Sequence, residues 1–357
     1  MRHARGMKVA GLLLAGSLAL AACASDNGSS GSGGSSASGS SSGTASSKVK
    51  IGVAFDTGGR GDKSFNDSAY AGVEAFIKAH PGSTERDLSP NSDASNRQDL
   101  LSQLADAGYN PIIAVGFNYG DVIGDVAKQY PKTSFAIVDS TGVGVADNVT
   151  GLQFASNEGS FLGGVAAALK TTSKHVGFVG GVQSPLIQTF QAGYAAGVKA
   201  VDPSIKVDVQ YLSPNGDFSG FSDPAKGKVV AQGMYQGGAD IVYAAAGGSG
   251  IGVFQAAKDA SKRAIGVDSD QYQTVGDPSL QSVIMTSVLK RVDNAVQGYI
   301  DDFSTGSVKG GADQTFDLKS QGVGLATSGG FIDDIKSKID DYTQQITSGK
   351  IKVPTTP

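Results

Sequence analysis

From Lys48 onward the sequence predicts an α/β fold built on parallel sheets, and three observations carry the prediction. Short β-rich apolar runs alternate with segments of helical spacing; the runs at 49–55, 111–115 and 134–138 are apolar enough for strands buried on both faces; and a second series of the same kind follows the first. The stretch 51–72, IGVAFDTGGRGDKSFNDSAYAG, sets the pattern with a buried strand from Ile51 to Phe55, a glycine-rich polar loop and a helix starting near Phe65. Helices are expected at 65–79, 95–107 and 119–129, with Leu100, Leu101 and Leu104 on the core face of the second. A crossing to the other half is expected near Phe154. Beyond it lie strands at 175–180, 205–211, 239–244 and 264–267, and helices at about 157–170, 186–200, 224–236 and 250–261. After Pro278 come a strand at 282–289, a helix from Lys290 to Phe303, a glycine-rich passage and a short strand at 321–326. The last element is an amphipathic helix, 331–347, with Phe331, Ile332, Ile335, Ile339 and Ile346 on its apolar side.

The chain is 357 residues long with 39% hydrophobic and 17% charged residues, enough for two domains of ordinary size. Residues 1–22 have a basic start (Arg2, Arg5, Lys8) and an apolar run from Val9 to Ala22 that is short for a bilayer span, so they read as an export signal. The sole cysteine, Cys23, follows at once, and LAAC (20–23) resembles the bacterial lipobox, in which the cysteine becomes the lipidated amino terminus. Residues 23–47 continue as a serine- and glycine-rich tether that cannot bury enough apolar area to fold. Losing residues 1–22, with three basic residues and no acid, takes the formal charge from −4 to −7. An acidic chain without a basic run is a poor nucleic-acid binder.

Ligands of open α/β sheets bind beyond the carboxyl ends of the strands. Asp56, Asp139 (AIVDS) and Asp268 (IGVDSD) each follow an apolar run, which places them at that end. One such aspartate can simply cap a helix, but three together point to a site, and ionised carboxylates accept from paired hydroxyls of a sugar. Phe65 and Phe221 sit in polar, glycine-bearing loops; both fit a core role, and both fit a clasp on a planar ring. Lys290, between a strand and a helix, is divided between site and surface.

Other chemistries find little support. AAAGGSGIGV (244–253) has GxGxG spacing rather than GxGxxG, and PAKGKV (224–229) lacks the first glycine and the Ser or Thr of a phosphate loop. His3, His80 and His175 are scattered, so neither a histidine triad nor a metal cluster is visible, and no cofactor is expected. A hydrolase built on two carboxylates stays open on composition alone.

Taken together, DKSFNDSAYAG (62–72), EGSFLGGVAAAL (158–169), FQAGYAAGVKAVDP (190–203), FSDPAKGK (221–228), AAGGSGIGVFQAAK (245–258), IGVDSDQ (265–271) and TSVLKRVDNAV (286–296) resemble the basic membrane protein family of lipoproteins, which includes purine nucleoside receptors. The resemblance implies a type I periplasmic-binding-protein fold, two Rossmann-like α/β lobes with a hinge and an inter-lobe cleft. It implies a non-enzymatic substrate-binding lipoprotein of an ABC importer, extracytoplasmic, membrane-anchored through Cys23 and monomeric, that hands a nucleoside, purine first, to a permease. Phe65 and Phe221 would sandwich the base, Asn66 and Asp139 would read it with Asp56 nearby, and Asp268 and Lys290 would hold the ribose beside the Gly248 backbone. Residues 48–154 plus about 281–311 are assigned to lobe 1 and 155–280 plus about 312–330 to lobe 2. Residues 331–357 are left unassigned. A sugar or a signalling molecule on the same fold is the alternative ligand, and a nucleoside hydrolase the alternative activity.

Overall fold

Strands covered by helices on both faces have no side to show to water, so continuous apolar runs become the central strands of parallel sheets. The computed structural model describes residues 48–91 and 93–357; the expectations for the signal, Cys23 and the tether lie outside the described residues. In chain order the first half runs β1 (Lys50–Ala54), α1 (Phe65–Ala79), β2 (Thr84–Leu88), α2 (Arg97–Asp106), β3 (Ile112–Ala114), α3 (Gly120–Gln129), β4 (Phe135–Val138) and β5 (Val149–Phe154). The second half runs α4 (Ser156–Lys170), β6 (His175–Val182), α5 (Pro185–Val201), β7 (Lys206–Ser213), α6 (Pro224–Gln236), β8 (Ile241–Ala245), α7 (Gly250–Asp259) and β9 (Arg263–Asp268). The remainder is α8 (Gln271–Thr274), α9 (Pro278–Gln281), β10 (Ile284–Lys290), α10 (Val292–Ser304), β11 (Ala312–Phe316), β12 (Val323–Leu325) and α11 (Lys336–Thr347).

These strands form two six-stranded sheets, ordered β11-β5-β4-β3-β1-β2 and β12-β10-β9-β8-β6-β7. All pairings are parallel except β12, which runs antiparallel along β10. Each sheet has an apolar core on both faces, the pattern of a doubly wound lobe. Helices α4 and α5 pack unusually close, because Gly193 and Gly197 of α5 present no side chain to α4. A Cβ at Gly193 would lie 2.1 Å from Asn157 O, and one at Gly197 would lie 2.0 Å from Phe161 O.

The lobe assignment read from the sequence needs correction between 281 and 330. Strand β10 pairs with β9 in the second sheet, so the part of 281–311 that belongs to lobe 1 begins only at α10, whose Val292, Ala295, Val296, Tyr299 and Ile300 join the first lobe's core. Strand β11, expected in lobe 2, pairs with β5 in the first sheet. An apolar run fits the centre of either sheet, and nothing in its own residues says which. The chain therefore crosses between lobes after β5, after β10 and between β11 and β12. The unassigned carboxyl-terminal segment packs on lobe 2, with Ile332, Ile335, Ile339 and Ile346 in that core. Strands β2, β5 and β11 were not anticipated; β2 and β11 are polar edge strands (TERDL, ADQTF) without the apolar run that marks the others.

Candidate functional site

Parallel strands deliver their carboxyl ends to one rim, and here the rims of the two sheets face each other across a narrow cavity lined from both sides. Lobe 1 lines it with Asp56, Thr57, Asp62, Phe65, Asn66, Phe117 and Asp139, and lobe 2 with Leu186, Ile187, Phe190, Phe221, Ala245, Gly247, Val267, Asp268 and Lys290.

Asp56 lies two residues past β1 and is buried. Its Oδ1 accepts from Thr57 N (2.8 Å) and Asn118 Nδ2 (3.3 Å), with Arg97 Nη2 at 3.8 Å. Burial raises its pKa, and the Thr57 N–H, Arg97 and Asn118 offset only part of that. Asn66, on the first turn of α1, accepts the Asp56 N–H at 3.0 Å and donates to Asp62 Oδ2 at 3.2 Å. Asp62 also accepts from the backbone N–H groups of Ser64, Asn66 and Asp67, so it performs the capping of α1. Burial nevertheless pushes its carboxyl up to about 6.

The second group of polar residues gathers around one ammonium. Asp139, directly after β4, and Asp268, the last residue of β9, both hold left-handed backbones (φ 64° and 62°), a conformation costing of order 1–3 kcal/mol that clusters at ligand sites. Lys290, ending β10, donates to Asp139 Oδ2 at 2.6 Å and stands 3.5 Å from Asp268 Oδ1, so it joins the two lobes. Burial works against the Lys290 charge, but Asp139 and Asp268 outweigh it and hold its pKa above the ordinary lysine value. Burial, reinforced by Asp268, raises the pKa of Asp139 despite Lys290. Asp139 Oδ1 is buried without any hydrogen-bond partner. A buried carboxylate oxygen left so is costly unless something else donates to it.

Two half-buried rings supply the apolar faces. Phe65 opens α1 and packs on the core of lobe 1, while Phe221 ends a short 3₁₀ turn (Phe218–Phe221) and packs on the core of lobe 2. The Lys290 ammonium lies 4.3 Å from the Phe65 ring centroid. Near the cavity Phe117 of lobe 1 meets Phe218 of lobe 2 edge-on at 5.9 Å, and the Arg97 guanidinium stands 5.2 Å from the Phe218 ring.

Of the eight residues singled out in the sequence, the cavity wall holds Asp56, Phe65, Asn66, Asp139, Phe221, Asp268 and Lys290. Gly248 is displaced by its neighbour: Gly247 (φ 53°) lines the wall, and Gly248 sits behind it, its missing Cβ 3.4 Å from Phe221 O and 3.7 Å from Asp62 Cβ. Sequence reasoning missed Asp62, Phe117, Leu186, Ile187 and Phe190. The last three occupy the first two turns of a helix that follows a strand end, positions that a core-face reading absorbs. Asn118 has the clearer signal, a polar residue just past the apolar run 111–115. The two described histidines are elsewhere: His80 stacks on Phe76 at 4.1 Å, and His175 pairs with Asp208 at 2.6 Å. Among the described residues no group of three or more His, Cys, Asp or Glu is placed to hold a metal ion. Chemically the cavity offers acceptors, one ammonium and aromatic faces, which is equipment for holding a ligand.

Comparison with known proteins agrees with that equipment. The family model for "ABC transporter substrate-binding protein PnrA-like" matches residues 48–357. The CD4+ T-cell-stimulating antigen of Listeria monocytogenes serovar 1/2a is 38% identical over 329 residues, 88% of this chain and 90% of the relative. The ABC transporter nucleoside-binding protein BmpA of Lactococcus lactis subsp. cremoris is 35% identical over 368 residues, 98% and 99% of the two chains. Among solved structures, an ABC transporter solute-binding protein from Aeropyrum pernix K1 superposes with a TM-score of 0.72 at 28% identity, covering 86% of this chain and 94% of that one.

Proposed function

Because this chain belongs to the PnrA-like family of ABC transporter substrate-binding proteins, we propose that it captures nucleosides, purine nucleosides first, between its lobes and delivers them to a membrane permease. It acts as a monomer outside the cytoplasm, held to the membrane through a lipid on Cys23. The name of the Lactococcus relative points to the same ligand class.

The observation that carries the reading is the division of the cavity. One phenyl ring comes from each lobe, and Asp139, Asp268 and Lys290 form a single cluster in which a buried acceptor, Asp139 Oδ1, lacks a donor. Phe65 and Phe221 take the faces of the base. Asp139 and Asp268, sharing one ammonium, take the ribose hydroxyls, whereas Asp56 and Asn66, joined by a hydrogen bond, take the polar edge of the base. This moves Asp139 from base to sugar relative to the family-based expectation, because the distance to Lys290 sets it beside Asp268. Gly247 supplies the backbone wall expected from Gly248.

A ligand lacking one ribose hydroxyl leaves a buried carboxylate oxygen under-satisfied, which costs about 1–3 kcal/mol, or roughly 5- to 150-fold in Kd. Titration calorimetry of ribonucleosides against 2′- and 3′-deoxynucleosides measures this, since the chain has no tryptophan to report binding. Equal affinities would remove the ribose role. Phe221→Ala should weaken binding by about 1–3 kcal/mol while leaving the melting temperature of the ligand-free protein nearly unchanged. The opposite pattern would make Phe221 a core residue. Should a thermal-shift panel respond to free sugars and to no nucleoside, the receptor reading stays and its ligand changes.

A further inference from the structure

A serine just before the first residue of a helix usually caps it with its hydroxyl, yet Ser64, which immediately precedes α1, makes no such bond. Asp62 accepts the free N–H groups of that turn instead. The Ser64 side chain, fully buried, is thereby released and points across to the other lobe, where its Oγ donates to Asp268 Oδ2 at 2.6 Å.

That bond is one of a set. Ser269 Oγ of lobe 2 donates to Ser64 O at 2.9 Å, and Gln271 Nε2 and Thr274 Oγ1 donate to Lys63 O at 3.0 and 3.3 Å. The Gln271 amide is itself fixed, because its Oε1 accepts the Val267 N–H of β9 at 2.8 Å. Lys63 holds a left-handed backbone (φ 56°), as Asp268 does on the opposite side. The bonds to Asp268 Oδ2, Ser64 O and Lys63 O each join lobe 1 to lobe 2, so each is made only while the lobes are together. Apart from Asp268, none of the residues that make those inter-lobe bonds lines the cavity.

We propose that Ser64 and the Lys63 carbonyl form a closure latch, in which Ser64 is a positioning residue that fixes Asp268 when the lobes meet and slows ligand release. The proposal rests on the ligand-holding role of Asp268 given above. A carboxylate that answers both to the ligand and to the opposite lobe makes capture and closure one event, since the closed state gains contacts that the open state lacks.

The test is stopped-flow binding and heat unfolding of the full chain carrying Ser64→Ala or Ser269→Ala. The ligand is whichever compound of a panel of nucleosides, bases and sugars most raises the wild-type melting temperature. With Ser64→Ala the dissociation rate should rise about tenfold while the association rate stays within about twofold, because the lost bond forms only after encounter. Ser269→Ala, whose hydroxyl neither lines the cavity nor bonds to the Asp268 carboxylate, should raise it by a smaller factor. Melting of the ligand-free protein should fall by less than that of the ligand-bound protein in both. Unchanged dissociation in both variants overturns the latch, and so does an effect of Ser64→Ala alone, which would make Ser64 a local support of Asp268. An equal fall in melting temperature with and without ligand would assign both residues to structure and also overturns it. If a sugar or base binds and no nucleoside does, the nucleoside reading falls while the latch is tested with that compound. If nothing binds, both fall.

Discussion

Replacing Lys290 by methionine keeps an unbranched stem and removes a buried ammonium that stands 2.6 Å from Asp139 Oδ2 and 3.5 Å from Asp268 Oδ1. What remains is two buried carboxylates facing each other, one of which already lacks a partner at Oδ1. Breaking a buried ion pair from one side costs about 3–5 kcal/mol, because the surviving charge has neither water nor counter-ion. Asp139, whose pKa burial already raises, escapes by taking up a proton. That pKa rises further above the ordinary 3.8 in the folded variant, and the folded state then binds a proton that the unfolded chain releases. Stability of the variant accordingly rises as the pH falls through that raised pKa, by about 1.4 kcal/mol per pH unit for each proton bound. Between about pH 7.5 and about pH 5, one proton recovers up to roughly 3 kcal/mol, most of the loss. Urea unfolding of the ligand-free proteins, followed by far-ultraviolet circular dichroism at both pH values, reads the difference. A deficit that is the same at both, or below about 1 kcal/mol at the higher, would refute the idea that this ammonium neutralises buried charge.

Asp62 gives a second pH effect of known sign. Its folded pKa of about 6 exceeds the ordinary 3.8, so its proton stabilises the fold as pH falls through 6, an effect complete near 3.8 and worth at most about 3 kcal/mol. Melting temperature should rise from about pH 7 to about pH 4.5 and rise less in Asp62→Asn, Asp56 and Asp139 supplying the remainder; a steady fall in the wild type would contradict this. Gly197→Ala should destabilise by about 1–3 kcal/mol or more, although alanine is the better helix former by about 1 kcal/mol, because the added methyl meets Phe161 O at 2.0 Å. A raised melting temperature would show that α4 and α5 can separate at little cost.

The central strands were legible because burial on both faces writes itself as an uninterrupted apolar run, as in IGVAF and AIVD. Strands β2 and β11 were not, since an edge strand carries charge and polarity to avoid pairing with strangers. The exchange of β10 and β11 between lobes was invisible for a different reason: register along the chain holds no information about which of two similar sheets a strand joins. At the site, strand-end aspartates stood out as single charges after apolar runs, and their convergence follows from parallel topology alone. Asp62 and Phe117 escaped notice because their importance comes from loops meeting in space. Gly247 and Gly248 differ by one residue within a run of glycine, where only the left-handed φ of the first tells them apart.

The three crossings have a consequence for how the polypeptide comes into being. Helix α1 is written near the start, but its Gly72 face is covered by α10, where a Cβ would meet Asp293 O at 2.3 Å, and the outer edge of β5 waits for β11. A growing chain thus holds no finished amino-terminal lobe until residues beyond 316 have been added. Lobes normally settle one after another as they emerge; these two must settle nearly together and late. Such a chain stays loose through most of its synthesis, the condition in which a polypeptide can still be threaded through a narrow pore.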